Sequence, residues 1–121
     1  MATGDFVVDL ATINSTLSSI EKVLRIDEMQ AQVAELEILA SAPDLWDDQA
    51  NAQRVTGKLS VLQADIGRIK NLRSRVDDVQ VLWEMGEAES DQGILDEAGA
   101  ELIALEKSIG ELEVRTLLSG E

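Results

Sequence analysis

The sequence predicts an all-α fold, an elongated antiparallel helical bundle of three to four coiled-coil-like helices around one long central helix. Three observations predict it. Between Asp47 and Ala88 there is no Pro, and Val55, Leu59, Leu62, Ile66 and Ile69 recur at 4-3-4-3 spacing, which keeps one side of a helix apolar. Leu72, Val76, Val79 and Trp83 resume that rhythm, but the join Ile66-Ile69-Leu72 is 3-3. A step of 3 in place of 4 rotates the seam by roughly a quarter turn. Apolar residues make up 45% of the chain, yet the aromatics are only Phe6, Trp46 and Trp83, the balance of long helices packed side by side. Pro43 is the sole proline and no period-2 run of any length occurs, so a sheet is not expected.

In chain order, Met1 to Asp5 are expected to fray. Leu10, Ile13, Leu17, Ile20 and Leu24 keep a 3-4-3-4 spacing, predicting a first helix over about 6–23. Its Thr, Asn and Ser residues have poor intrinsic propensity, so docking rather than backbone preference must stabilise it. The rhythm breaks at Leu24-Arg25-Ile26, without Gly or Pro, which favours a kink over a tight reversal. Asp27 with Gln30 resembles a capping box. Ile26, Met29, Val33, Leu36 and Ala40 then form a second seam, over about 27–41, closed by Pro43. Asp47 or Asp48 is suited to cap the long helix, and Trp46 reads most simply as a core plug at that corner. The long helix, about 48–88, would measure about 60 Å at 1.5 Å per residue. Ser90 and Asp91 are N-cap types, and Leu95, Ala98, Leu102, Leu105, Ile109 and Leu112 mark a last helix over about 92–118. Ser119-Gly120 looks like its stop. Counting lengths, the second helix covers the long one to about Leu62 and the last helix covers it from about Leu82 back to Leu62. The change of partners then falls near residues 62–72, where the seam rotates, and the first helix completes a three-helix layer on the far half. The whole, 1–121, reads as a single helical domain.

Charge excludes several functions. With 24 acidic and 10 basic residues among 121, the formal net charge is −14, which opposes general attachment to nucleic acid or anionic membrane; independent DNA binding is not expected. There is no Cys and no His, hence no thiolate nucleophile, no imidazole base and no ordinary transition-metal cluster. No Gly-rich phosphate loop or dinucleotide fingerprint occurs, so no cofactor and no small-molecule substrate are implied. Paired carboxylates such as Asp77/Asp78 and Glu87/Glu89 without a lined pocket are ordinary solvated charge. Neither a secretory signal nor a membrane span is legible, and the cytoplasm is the expected compartment. The chain is not expected to be an enzyme by itself.

One constellation stands out. Arg54 to Arg75 holds six basic residues against one acid, whereas Asp27–Asp48 holds seven acids and Glu84–Glu106 eight, without a base. Arg68, Lys70, Arg73 and Arg75 are therefore the candidate partner-binding residues, as a patch for RNA or phosphate. The competing reading is charge complementarity between the long helix and its acidic neighbours. Arg68 and Arg75 share a helical face while Lys70 and Arg73 point elsewhere, which favours that competing reading.

Specific words accompany these patterns. Pro43-Asp44-Leu45-Trp46-Asp47-Asp48, then Ala52-Gln53-Arg54-Val55-Thr56, and the ending Glu113-Val114-Arg115-Thr116-Leu117-Leu118-Ser119-Gly120-Glu121 resemble the amino-terminal helical domain of the bacterial peptide chain release factor 2 family. The Trp-Asp-Asp corner and the Arg-Thr-Leu-Leu-Ser-Gly-Glu ending are the specific parts; the sister factor, release factor 1, usually lacks both. The resemblance covers nearly the whole chain and is thinner before Asp27. It implies a helical module of a translation termination factor, preceding a domain that reads UAA and UGA through Ser-Pro-Phe and another whose Gly-Gly-Gln promotes peptidyl-tRNA hydrolysis. Neither tripeptide occurs in this sequence, so no catalytic residue can be carried over, and the chain is expected to be a part cut before those domains. What the resemblance implies for this part is ribosome binding, towards the stalk base of the large subunit.

Two other classes compete. A stand-alone acidic coiled-coil adaptor or chaperone-like protein would dimerise along an unfilled seam. An acidic mimic of nucleic acid would need carboxylates spaced along one face, and here they are clustered in two regions.

Overall fold

The computed structural model describes residues 3–119. Four α-helices follow one another, α1 Thr3–Leu24, α2 Ile26–Ala40, α3 Gln49–Glu89 and α4 Gln92–Ser119, with a short 3₁₀ turn at Leu45–Asp47 before α3. No strand occurs among the described residues, and the all-α class is as expected. Asp5 lies within the first turn of α1, so the fraying expected up to that residue does not extend so far. Gly120 lies outside the described residues, and with it half of the expected stop Ser119-Gly120.

The chain divides into two compact units at Ile69/Lys70, within the span where the seam slips. One unit holds α1 up to Val23, α3 from Lys70 onward, and α4. Phe6 stacks on Trp83 and Glu21 pairs with Arg73, so α1 runs antiparallel to this part of α3. Glu101 pairs with Arg75, while Leu95 approaches Gly86, so α4 is antiparallel to it as well. The predicted seams are the buried ones: Ile13, Leu17 and Ile20 from α1, Leu72, Val76, Val79 and Trp83 from α3, and Ala98, Leu102, Leu105, Ile109 and Leu112 from α4. Each fully buried Leu or Val side chain contributes about 1.5–3 kcal/mol relative to exposure. α1, poor in helix formers, is held by that face.

The other unit is Leu24–Ile69, an antiparallel pair of helices with a thinner core. Leu36, Leu45, Ala52 and Val55 are buried together, with Ala40, Leu59 and Leu62 half-covered around them. Gln63 donates to Glu37 at 3.3 Å across the pair. Two helices cannot enclose a seam as three can, and Leu36 is the one buried residue of α2.

The helix ends differ in part from expectation. Asp48 caps α3: its Oδ1 accepts from the Asn51 N–H at 3.1 Å, satisfying an otherwise orphaned donor. No capping box forms at Asp27. The residue before α2 is Arg25, left-handed at φ 56°, ψ 62°, with no side-chain cap bond. Its carbonyl accepts from the Met29 N–H at 3.0 Å, so α2 starts at Ile26, before a cap at Asp27 would allow.

At the other junction Ser90 and Asp91 divide the work. Ser90 is left-handed at φ 51°. The Asp91 N–H donates to the Gly86 carbonyl at 2.9 Å and the Ser90 N–H to the Glu87 carbonyl at 3.2 Å, the paired bonds of a Schellman ending. Asp91 then caps α4, its Oδ1 accepting from the Ile94 N–H at 3.2 Å. A left-handed Ser is strained where Gly is not. Ser90→Gly is therefore expected to raise stability by about 0.5–1 kcal/mol, read as a higher urea midpoint at unchanged slope. A lower midpoint would show that Ser90 is not strained there.

Candidate functional site

The basic candidates fall on α3 and have different surroundings. Arg68 donates to Asp65 one turn earlier, at 2.9 Å, with both side chains more than 40% exposed. An exposed pair of this kind contributes about 0.2–1 kcal/mol. Lys70 is exposed and has no ion pair among the described residues.

Arg73 is turned onto α1. Its Nε and Nη2 donate to the two carboxylate oxygens of Glu21, at 3.3 and 2.9 Å, and Nη2 also reaches the Ser18 hydroxyl at 3.1 Å. Nη1 donates to Asn14 Oδ1. The guanidinium fork is thus matched by a bidentate carboxylate and two polar groups. Asn14 and Ser18, unfavourable for helix formation on propensity alone, are the side chains that complete this site. Arg75 turns to the other neighbour, its Nε donating to Glu101 at 3.0 Å on α4.

The cationic candidates therefore do not form one stripe. Arg73 and Arg75 tie α3 to α1 and α4, Arg68 braces its own helix, and Lys70 alone presents an uncommitted charge. Among the described residues no cluster of three or more His, Cys, Asp or Glu is placed to hold a metal ion, and no helix is long and apolar enough to cross a membrane.

Trp46 overturns the core-plug reading. Leu45 is buried and Trp46 is 60% exposed. Successive residues of a 3₁₀ turn are about 120° apart, so seating Leu45 against Ala52 and Val55 swings Trp46 outward. Its indole is a surface aromatic of the two-helix unit, amid Asp44, Asp47 and Asp48, which are all exposed. Sequence spacing could not have decided which of the adjacent Leu and Trp goes inside.

Fold and charge together define the class: an acidic, all-α helical domain whose arginines are largely spent on its own helices. The chain belongs to the PCRF domain family, whose model matches residues 29–121. The similarity to peptide chain release factor 2 extends through all or nearly all of the chain. It is 56% identical over 121 residues to the peptide chain release factor 2 of Salinispora arenicola (strain CNS-205), covering all of this chain and 32% of that protein. The corresponding figures are 50% over 121 residues for Streptomyces avermitilis, again all of this chain and 33% of the relative. For Mycobacterium avium (strain 104) they are 50% over 119 residues, 97% of this chain and 32% of the relative. The chain thus spans about a third of the length of these curated relatives.

Proposed function

We propose that this chain is the helical interaction domain of a translation termination factor of the release factor 2 kind. Peptide release at UAA and UGA belongs to the full-length factor, through a codon-reading domain and a Gly-Gly-Gln domain. This domain contributes ribosome contact and positioning in the cytoplasm, at the stalk base of the large subunit, and has no catalysis of its own. The observation that supports this most is the identity of 56% along the entire chain to a peptide chain release factor 2. Chemistry agrees, because without His or Cys hydrolysis would have to rest on carboxylates alone, and these are mostly exposed. The family match gives the stand-alone adaptor no support.

The test uses ribosomes halted at a UGA codon. The chain alone is expected to co-sediment with the ribosomes, to release no peptide, and to slow release by a full-length release factor 2 when added in excess. Peptide hydrolysis by the chain alone, or failure to associate with ribosomes at low ionic strength, would overturn the reading.

A further inference from the structure

An open groove of about 500 Å³ lies between α3 and α4 of the three-helix unit. Its floor is apolar, made by Val79, Leu82 and Ala100, and Asp78 and Glu97 stand on its rims. The Arg75–Glu101 pair closes one end, with Nε and Oε2 3.0 Å apart. On the α4 side the one apolar lining residue is Ala100, whose single methyl leaves the space between Glu97 and Glu101 unfilled. Asp78 and Glu97 are exposed and have no hydrogen-bond or ion-pair partner among the described residues.

We infer that this groove receives a lysine or arginine side chain from a basic protein partner. Such side chains have an apolar stem and a cationic head, and the groove offers the complement of both: an apolar floor for the stem and two uncommitted carboxylates for the head. The one cation already present is engaged by Glu101, so the unpaired charge at the groove is negative. That charge repels RNA phosphate, and a second copy of a chain with net charge −14 is disfavoured by the same repulsion. The inference gives a face to the partner binding proposed above and rests on that reading.

The test is an amide-resolved NMR titration of the chain with a short Lys/Leu/Arg peptide, alongside a Glu-for-Lys/Arg peptide and an RNA oligonucleotide. The basic peptide is expected to shift the amides of Asp78, Val79, Leu82, Glu97 and Ala100 first, with affinity falling as salt rises. Asp78→Asn with Glu97→Gln is expected to weaken it about tenfold, whereas Glu106→Gln with Glu113→Gln, the same change of charge placed away from the groove, leaves it unchanged. Circular dichroism confirms that both variants keep their helices. Equal loss in the two double variants would mean diffuse attraction and overturn the groove. So would shifts spread evenly over the acidic surface, preferential RNA binding, or self-association through these residues. No ribosome is present, so failure here removes the groove and leaves the release-factor reading standing, while failed ribosome binding with the peptide shifts intact removes that reading and leaves only a basic-peptide site on this unit.

Discussion

Phe6→Ala is expected to destabilise the three-helix unit by about 3–5 kcal/mol. Phe6 is fully buried, and its ring lies 4.0 Å from that of Trp83 at an interplanar angle of 7°. Stacked aromatic pairs contribute about 0.5–1.5 kcal/mol beyond the area they bury, and truncation leaves a void against the indole face. Trp83 is held by packing, since its buried Nε1–H has no acceptor among the described residues. The measurement is urea unfolding followed by Trp83 fluorescence in a Trp46→Phe background, where the exposed indole no longer contributes. The midpoint is expected to fall sharply and the native emission to move to the red. An unchanged midpoint would show that the stack does not support this unit. Against a total stability of about 5–15 kcal/mol for a typical domain, a loss of this size leaves little margin.

The stack also shows where sequence reading stops. Phe6 and Trp83 are 77 positions apart (83 minus 6), and nothing in either local pattern pairs them. By contrast the helices and their buried faces are legible, because burial at 3.6-residue period is written into the spacing of Leu, Ile and Val. Even the slipped join at Ile66-Ile69-Leu72 can be read: all three are buried, and the division between the two units falls at Ile69/Lys70. Caps were legible by type but not by role. Asp48 and Asp91 carry short carboxylates suited to orphan N–H groups, whereas the left-handed Arg25 and Ser90 carry no sequence signal, since neither is the Gly or Asn usual there.

Candidate-site legibility follows the same divide. A cluster of arginines between two acidic stretches is visible in the sequence, and so is the possibility that opposite charges meet across helices. Which carboxylate meets which guanidinium depends on helix rotation and axial offset, so Glu21 for Arg73 and Glu101 for Arg75 emerge only from packing. The groove under Asp78 and Glu97 is less visible still, because it depends on how α3 and α4 lie against each other around the small Ala100, which on sequence looks like ordinary helix filler.

Glycines in α3 supply the second large effect, and here one residue type is expected to act in opposite directions. A Cβ at Gly86 would lie 2.8 Å from Leu95 Cδ2, 3.0 Å from Leu95 Cγ and 3.1 Å from Ile94 Cγ2. The first turn of α4 therefore packs directly on the bare backbone of α3, at the Gly86 whose carbonyl takes part in the Schellman ending. Gly86→Val puts a branched side chain into that contact, and overpacking of this kind costs about 1–3 kcal/mol. Gly57 has nothing within 4 Å of where its Cβ would be. Gly57→Ala meets no clash and gains helix propensity, so stability is expected to rise by about 0.5–1 kcal/mol. Both substitutions replace a helical Gly in the same helix, so any shared effect on the unfolded chain has the same sign in each. What separates them is the neighbour. Thermal unfolding monitored by circular dichroism is expected to show a lower midpoint for Gly86→Val and a higher one for Gly57→Ala. A Gly86→Val variant as stable as the parent would mean that Leu95 and Ile94 move aside freely, and that the α3–α4 approach is not set by the missing side chain.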